Sequence, residues 1–250
     1  MGAGVIDWGC PIPAFGDPSR SQVATLGINP SNREFMDECG QELVGSDRRF
    51  HTLGSLGIER WTDADARHLQ LILRCSGSYF VNNPYDGWFR RLDQVMSGMG
   101  SSFYGVSASA CHLDLIPFAT ADKWTQLTAT QRTQLLDSGG DIFGYLVRDS
   151  PIETLILNGR TVVSAFEAIA GATLQRRVIP GWHLSRTSSP GVAGLAFRGI
   201  VTRIGGVDLG KELLVLGFNH NLQSSFGVTT LVLRNIKNWL TRNARASHAL

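Results

Sequence analysis

Short apolar runs alternate with helix-type patterns along this chain, and that alternation is the strongest constraint on its fold. Four runs read as buried strands, at residues 23–28, 112–118, 154–157 and 213–216. Strands that alternate with helices are typical of a parallel, doubly wound sheet with helices on both faces. We therefore predict an α/β fold with three α/β/α layers and a central, mostly parallel four-stranded sheet.

Apolar residues at helical spacing predict the helices. The predicted helices span residues 61–75, 88–96, 128–147, 161–169 and 229–242. The first is expected to begin at Thr62 or Asp63, because these residue types cap helices well. The Gly139-Gly140 pair is expected to break the third helix, because glycine lowers helix propensity.

The length of 250 residues fits one domain with insertions better than two domains. We predict a single domain over residues 1–250, with residues 1–21 as an irregular N-terminal arm. Residues 176–210 are rich in Gly, Arg and Ser and read as an insertion, either a hairpin or a flexible segment. Its arginines either bind phosphates or belong to a solvent-exposed loop. These arginines are Arg176, Arg177, Arg186, Arg198 and Arg203.

The composition limits the classes of partner and cofactor. A net charge of +2 permits nucleic-acid binding through a local patch without demanding it. The four cysteines form no Cys-x-x-Cys pair, which argues against a zinc site or iron–sulfur cluster of the usual spacing and suits a reducing cytoplasm. Neither a signal-peptide pattern nor an apolar run of about 18 residues is present. We expect a cytoplasmic monomer with no cofactor, no metal and no membrane contact.

Two short segments follow predicted strands and turn through small polar residues towards a helix. They span residues 26–31 (Leu-Gly-Ile-Asn-Pro-Ser) and 217–225 (Gly-Phe-Asn-His-Asn-Leu-Gln-Ser-Ser). The carboxyl edge of an open α/β sheet is where ligands bind, and we expect both segments there. Gly27 would let the backbone approach a ligand closely, and Pro30 would stiffen the turn.

The first segment resembles motif 1 of the uracil-DNA glycosylase superfamily, in the Gly-x-Asn-Pro form of its mismatch-type branch. The second resembles the His-containing motif of that superfamily. The resemblance implies a DNA glycosylase that hydrolyses the bond between a base and its sugar. It implies that Asn29 orients the attacking water and that His220 donates a hydrogen bond to O2 of the departing base, where charge develops.

The same resemblance implies a pocket for the flipped base. Phe80 is the expected stacking residue, with Tyr79 as the second candidate. Ile28 is expected to line the pocket. Trp88 and Phe89 are expected in the hydrophobic core, as most large aromatic residues are.

The DNA contacts implied by the resemblance surround the two motifs. The residues after His220 depart from the usual Pro-Ser of the family, so Leu222 or Gln223 is the candidate wedge that enters the base stack. The hydroxyl groups around the motifs are candidates for holding DNA phosphates. They belong to Ser31, Ser224 and Ser225.

Asp114 stands where the resembled family commonly has an Asn that reads the base. An ionised carboxylate only accepts hydrogen bonds. It therefore cannot pair with uracil O4, which is also an acceptor, but it can accept from the exocyclic amino group of cytosine. The favoured substrate is therefore a modified cytosine, such as glucosylated hydroxymethylcytosine in phage DNA, whose removal would give anti-phage defence. Alternatively, Asp114 caps a turn or pairs with an arginine.

The leading hypothesis is a monofunctional glycosylase, because no Lys lies within the motifs to form a Schiff base. Water is then the nucleophile and an abasic site the product. Three alternatives stay open: a repair glycosylase for uracil or mismatched thymine, a hydrolase or transferase of free nucleosides, and a non-catalytic reader of modified DNA. A duplex binder loses affinity steeply as salt rises, whereas an enzyme of free nucleosides does not.

Overall fold

A computed structural model of the chain describes residues 4–81, 86–105, 108–187, 190–223 and 226–247. These residues form strands, α-helices and short 3₁₀ turns. The strands are β1 (Val23–Gly27), β2 (Ala110–Asp114), β3 (Thr154–Asn158), β4 (Gln175–Val178), β5 (Leu195–Ile204) and β6 (Val207–Phe218). The helices are α1 (Leu53–Leu56), α2 (Ala66–Ser78), α3 (Asp86–Met96), α4 (Ala129–Arg148), α5 (Arg160–Ala170) and α6 (Thr230–Ser247).

The strands form one mixed sheet in the order β2-β1-β3-β6-β5-β4. β2, β1, β3 and β6 pair in parallel, whereas β5 and β4 add in antiparallel fashion beyond β6. The predicted α/β class and the parallel arrangement of the four predicted strands are confirmed. The prediction of a four-stranded sheet is wrong, because β4 and β5 extend the sheet to six strands.

These two additional strands lie largely within residues 176–210, the segment for which the sequence predicts either a hairpin or a flexible insertion. β5 and β6 pair as an antiparallel hairpin. β5 buries Phe197, Val201 and Ile204, whereas Arg203 beside them is exposed. The arginines and glycines interrupt the apolar pattern of β5, so hydropathy alone does not reveal the strand.

Helices cover both faces of the sheet. α4 and α5 pack on one face with strand residues such as Leu26 and Leu157, while α2, α3 and α6 pack on the other with Ile156 and Leu216. Successive side chains of a strand point to opposite faces, so a strand covered on both sides is apolar throughout. This is why the central strands stand out as continuous apolar runs in the sequence.

α4 runs without interruption through Gly139 and Gly140, so the predicted break there is wrong. The glycines let the helix lie close to the chain beneath it. A Cβ on Gly139 would lie 2.7 Å from the backbone oxygen of Leu115, and one on Gly144 would lie 2.7 Å from that of Ile204. The close contact with the sheet offsets the low helix propensity of glycine.

The N-terminal segment before β1 covers the outer edge of β2. Phe15 and His112 exchange backbone hydrogen bonds of 2.9 and 2.8 Å. Ile6, Cys10 and Ile12 are buried in the core on the same side. The predicted irregular arm thus belongs to the core of the domain, and it carries Phe15 to the strand that ends in Asp114.

Candidate active site

A cavity of about 590 Å³ opens at the carboxyl ends of the parallel strands. Gly27 at the end of β1 and Asp114 at the end of β2 line it. Asn158 at the end of β3 and Asn219, directly after β6, complete the same edge. This is the position at which open α/β sheets bind ligands.

Asn29 lines the cavity in a fixed orientation. Its side-chain nitrogen donates to Thr120 Oγ1 at 3.0 Å, and the Thr120 hydroxyl in turn donates to the backbone oxygen of Asp122 at 2.8 Å. Because the Thr120 proton is already engaged, its oxygen must accept, which assigns the NH₂ of Asn29 to that side. The Oδ1 atom of Asn29 therefore remains to accept a hydrogen bond from a water molecule or a ligand.

Asp114 and His112 share the inner wall of the cavity. His112 Nδ1 lies 2.7 Å from Thr25 Oγ1, and His112 Nε2 lies 3.6 Å from Asp114 Oδ1. The side chains of His112 and Asp114 are 4% and 5% exposed, so both are shielded from bulk water. Gly27, which is opposite Asp114 on β1, leaves the space that both side chains occupy.

Glu34 also lines the cavity and is 2% exposed. Its Oε1 accepts a hydrogen bond of 3.1 Å from the Tyr79 hydroxyl. Burial raises the pKa of Glu34 to about 8, and the charge of Asp114 adds to the increase. Arg49 and the Tyr79 hydroxyl oppose it by favouring the ionised form, but burial is the larger effect. Glu34 is therefore mainly a neutral carboxylic acid at pH 7.

Aromatic rings form the apolar side of the cavity. Phe15, Trp88 and Phe89 line it, and each ring centroid lies within 5.7 Å of the His112 ring. The prediction that Trp88 and Phe89 serve only the core is therefore incomplete, since both reach the cavity. Aromatic and apolar side chains beside a few polar groups are typical of pockets that bind small organic ligands.

The two predicted stacking residues do not face this cavity. Phe80 stacks on Phe103 with ring centroids 4.6 Å apart and lines a separate cavity of about 410 Å³. Tyr79 is buried, and its hydroxyl is turned towards Glu34. Contrary to the prediction, the structure therefore does not place Phe80 at this cavity, because its ring is held in an aromatic cluster with Phe103 and Tyr104 beside the second cavity.

His220 does not face the cavity either. It is 2% exposed, and its Nε2 lies 2.7 Å from the backbone oxygen of Trp182. A carbonyl only accepts, so Nε2 carries the proton and is fully engaged. Burial lowers the pKa of His220 below its ordinary value, which favours the neutral ring. The prediction that His220 donates to a departing base is therefore not compatible with this structure, whereas its neighbours Asn219 and Asn221 line the cavity.

Neither wedge candidate is free to enter a base stack. Leu222 is fully buried, and its backbone oxygen accepts from Arg91 at 2.7 Å. Gln223 accepts from Asn158 Nδ2 at 2.8 Å and donates to the backbone oxygen of Trp88 at 3.1 Å. Both residues join α3 to the end of β3, which is a structural role. Ser224 and Ser225 lie outside the described residues.

The rim of the cavity carries polar and cationic side chains. Ser31 caps a 3₁₀ turn by accepting from the backbone nitrogen of Arg33 at 3.2 Å, and it lines the cavity. Ile28 lines the cavity too. Contact of Ser31 with DNA and of Ile28 with a base stay predictions. Lys123 and Arg160 are exposed at the rim, where their charges are available to an anionic partner.

Sequence reasoning missed Glu34, His112 and Asn158 as cavity residues. Asn158 directly follows the predicted strand 154–157, and that position is a usable signal, whereas His112 is the first residue of the predicted strand 112–118 and carries no such signal. Glu34 follows Ser31 at the spacing of a capping box, which is typical of an exposed carboxylate. Its burial depends on Tyr79, far away in the chain, and no local pattern reveals that contact.

No known protein family model matches the chain, and no curated protein sequence is significantly similar to it. In the part of the chain that the structure describes, no group of three or more His, Cys, Asp and Glu side chains is arranged to hold a metal ion. None of the described helices has both the length and the apolar character needed to cross a membrane.

Proposed function

We propose that this protein is a DNA glycosylase that hydrolyses the N-glycosidic bond of a flipped-out pyrimidine and leaves an abasic site. The observation that carries the proposal is the arrangement of Asn29 and Asp114 in one cavity. Asn29 presents an oriented amide oxygen, and Asp114 presents a carboxylate from the neighbouring strand. The resemblance of residues 26–31 to a glycosylase motif agrees with this arrangement.

The proposed reaction proceeds through a dissociative transition state with an oxocarbenium-like sugar. An uncharged amide is a poor base, but it can hold a water molecule where the cationic sugar carbon will form. Asn29 takes this positioning role. The buried walls of the cavity exclude other water, which strengthens each polar interaction inside.

The proposed base is a modified cytosine, because the Asp114 carboxylate accepts a hydrogen bond from an exocyclic amino group. The cavity volume of about 590 Å³ lies within the range of about 300–1,000 Å³ seen for pockets that hold drug-sized ligands. A glucosylated hydroxymethylcytosine in phage DNA fits this chemistry, and its removal would act in antiviral defence. A repair glycosylase for uracil or mismatched thymine is the alternative if Asp114 does not read the base.

DNA is the proposed partner, and the cationic rim at Lys123 and Arg160 supports a phosphate contact. The proposal includes a monomer without a cofactor, located in the cytoplasm. The four cysteines at Cys10, Cys39, Cys75 and Cys111 are all unpaired, as expected of proteins in a reducing compartment.

The test is a panel of matched duplexes that carry uracil, mismatched thymine, hydroxymethylcytosine or its glucosylated form. Alkali after incubation reveals abasic sites as strand breaks, and Asn29→Ala is the control. Strand breaks confined to a modified cytosine support the proposal in full, and breaks at uracil support the enzyme class alone. Tight binding without strand breaks would replace the enzyme with a reader of modified DNA.

A free-nucleoside enzyme is tested with the corresponding mononucleosides. The proposed glycosylase acts on the duplex and loses affinity as salt rises, because phosphate contacts release counterions. Equal activity on a mononucleoside, without salt dependence, would contradict the proposal.

A further inference from the structure

Glu34 is a buried carboxyl group with one unused oxygen in the cavity wall. Its Oε1 accepts from the Tyr79 hydroxyl, whereas its Oε2 has no hydrogen-bond partner among the described residues. A buried polar atom without a partner is costly and rare in folded proteins, so its persistence calls for an explanation. Glu34 lines the cavity, and a ligand that enters it and reaches Oε2 would supply the missing partner.

Three groups act on the pKa of Glu34 besides burial. Arg49, before α1, and Tyr79, after α2, favour the ionised carboxylate, whereas Asp114 on β2 disfavours it. His112 lies beside Asp114, with Nε2 at 3.6 Å from Oδ1. Burial outweighs the favourable groups and raises the pKa of Glu34 to about 8. The cavity therefore pairs a neutral carboxylic acid with a second carboxyl group that is a hydrogen-bond acceptor when ionised.

We propose that Glu34 is the acid that donates its proton to the departing base, and that Glu34 and Asp114 together select a 4-aminopyrimidine. This inference rests on the proposed glycosylase function. The acid hydroxyl of Glu34 meets the ring nitrogen N3, which is an acceptor in cytosine. The Asp114 carboxylate meets the amino group on C4, which is a donor.

The bond changes balance without a further reactant. The bond between C1′ of the sugar and N1 of the base breaks, and its electron pair moves onto the base. The proton of Glu34 moves to N3, so the base leaves neutral. The water held by Asn29 adds its oxygen to C1′, and the proton it loses returns to the Glu34 carboxylate.

The same pair of groups disfavours uracil. Uracil carries a donor at N3 and an acceptor at O4, so it presents a donor to the Glu34 hydroxyl and an acceptor to the Asp114 carboxylate. A site built to pair specific polar groups rejects a ligand that leaves them unpaired, by about 10⁴-fold where the groups are buried. This explains how the cavity can do without His220, because Glu34 stabilises the charge on the leaving base instead.

The test compares single-turnover rates of base release by the wild-type protein, Glu34→Gln and Tyr79→Phe between pH 6 and pH 10. The wild-type rate is expected to fall about tenfold per pH unit above pH 8, where Glu34 ionises. Glu34→Gln keeps a donor but cannot transfer a proton. We expect its rate to be lower by about 100-fold at pH 7, without the alkaline decrease and with the Kd for DNA unchanged.

Tyr79→Phe keeps Glu34 and removes a donor that favours its ionised form. Its alkaline decrease is therefore expected at higher pH than in the wild type, an effect that a purely structural Tyr79 would not produce. Tyr145→Phe, on the exposed side of α4, is the matched control and should leave the profile unchanged. If Glu34→Gln does not fold, the pH profile of Tyr79→Phe alone tests whether Glu34 is the acid.

Two results overturn the inference, and they are distinguishable. In the first, the wild-type protein releases the base, but Glu34→Gln is fully active or the pH profile of Tyr79→Phe is not shifted. That result would show that Glu34 is not the acid, and it would not contradict the proposed glycosylase function. Absence of base release by the wild type from every duplex removes the proposed function and this inference with it.

Discussion

Gly27 on β1 lies opposite Asp114 on β2, and the absence of a side chain at Gly27 makes room for the Asp114 carboxylate. A Cβ at Gly27 would collide with Asp114 Oδ1 and would lie 2.9 Å from His112 Nε2. The backbone of Gly27 does not have a positive φ angle, so glycine is needed here for the space it leaves and not for its backbone conformation. The glycine of the first motif thus makes room for the proposed base-reading residue, Asp114, on the neighbouring strand.

Gly27→Ala is expected to displace Asp114 and to lower both activity and stability. Extra atoms in a packed site cost about 1–3 kcal/mol, and a shift of a reacting group by about 1 Å costs on the order of 100-fold in rate. The measurements are the rate of base release and the melting temperature. Gly77→Ala in α2, where an added Cβ meets nothing within 4 Å, is the control and should leave activity unchanged. Full activity of Gly27→Ala would contradict the role given to Asp114.

Thr120→Val is expected to lower kcat on the order of tenfold with little change in Kd. The Thr120 hydroxyl holds the Asn29 amide, and valine would leave that amide with only its weaker hydrogen bond of 3.2 Å to the backbone oxygen of Pro30. Thr125→Val, at the exposed rim of the same cavity, is the matched control and should behave as wild type. A Thr120→Val enzyme with unchanged kcat would show that Asn29 needs no such support.

The sequence reveals the central sheet more clearly than the site, for a physical reason. Buried parallel strands such as β3 are continuous apolar runs, which any hydropathy reading detects. At the end of a strand, a shift of one position along the chain turns a polar side chain from one face of the sheet to the other. His220 lies between two asparagines that line the cavity, yet its own ring turns to Trp182. A motif in the sequence locates the edge of the sheet but not the direction of each side chain.

Glu34 and Phe80 illustrate the same limit from tertiary contacts. In the cavity wall, Glu34 accepts a hydrogen bond from the hydroxyl of Tyr79, a residue 45 positions away in the chain. Phe80 leaves that cavity because Phe103 supplies a stacking partner on another side. Both contacts join residues from different elements, so local propensity carries no information about them.

His220→Ala is expected to lower stability rather than catalysis. The substitution leaves the Trp182 carbonyl without its donor, which costs about 1–3 kcal/mol for a buried group. His220→Gln retains a donor and should recover part of this loss. The comparison uses melting temperature and the rate of base release per folded molecule. A loss of rate above about 100-fold in His220→Ala, at unchanged melting temperature, would restore His220 to the catalytic set.

The contribution of His220 to the stability of the wild-type protein is expected to decrease as pH falls below about 6.5, the ordinary pKa of histidine, whereas Glu34, whose pKa is raised by burial, contributes in the opposite direction. Burial lowers the pKa of His220 in the folded state, so the unfolded chain binds more protons below that pH. His51 contributes in the same direction, since burial and Arg48 lower its pKa. Removing His220 should therefore make the change in the free energy of unfolding from pH 7.5 to pH 5.5, measured with urea, more favourable to the folded state in His220→Gln than in the wild type. An equal change in the free energy of unfolding between the two pH values in both proteins would contradict the assignment of this pH dependence to His220.

Phe226→Ala is expected to weaken duplex binding by about 1–3 kcal/mol, the value of one base–aromatic stack. Phe226 is 71% exposed three residues after Gln223, and the Arg186 guanidinium lies 5.3 Å from its ring centroid. It replaces the buried Leu222 as the candidate for contact with the base stack. Leu231→Ala, 60% exposed on α6, is the control and should bind as wild type. Equal Kd values for wild type and Phe226→Ala would contradict this contact.

The most direct test of the whole account is mass spectrometry of the free base released from a duplex with one glucosylated hydroxymethylcytosine and one uracil. We expect the wild-type protein to release the modified cytosine alone and Asn29→Ala to release neither base. We expect Asp114→Asn to shift release towards uracil, because an amide can donate to O4. Release of the modified cytosine by Asn29→Ala, or an unchanged preference in Asp114→Asn, would contradict the proposed roles of these two residues.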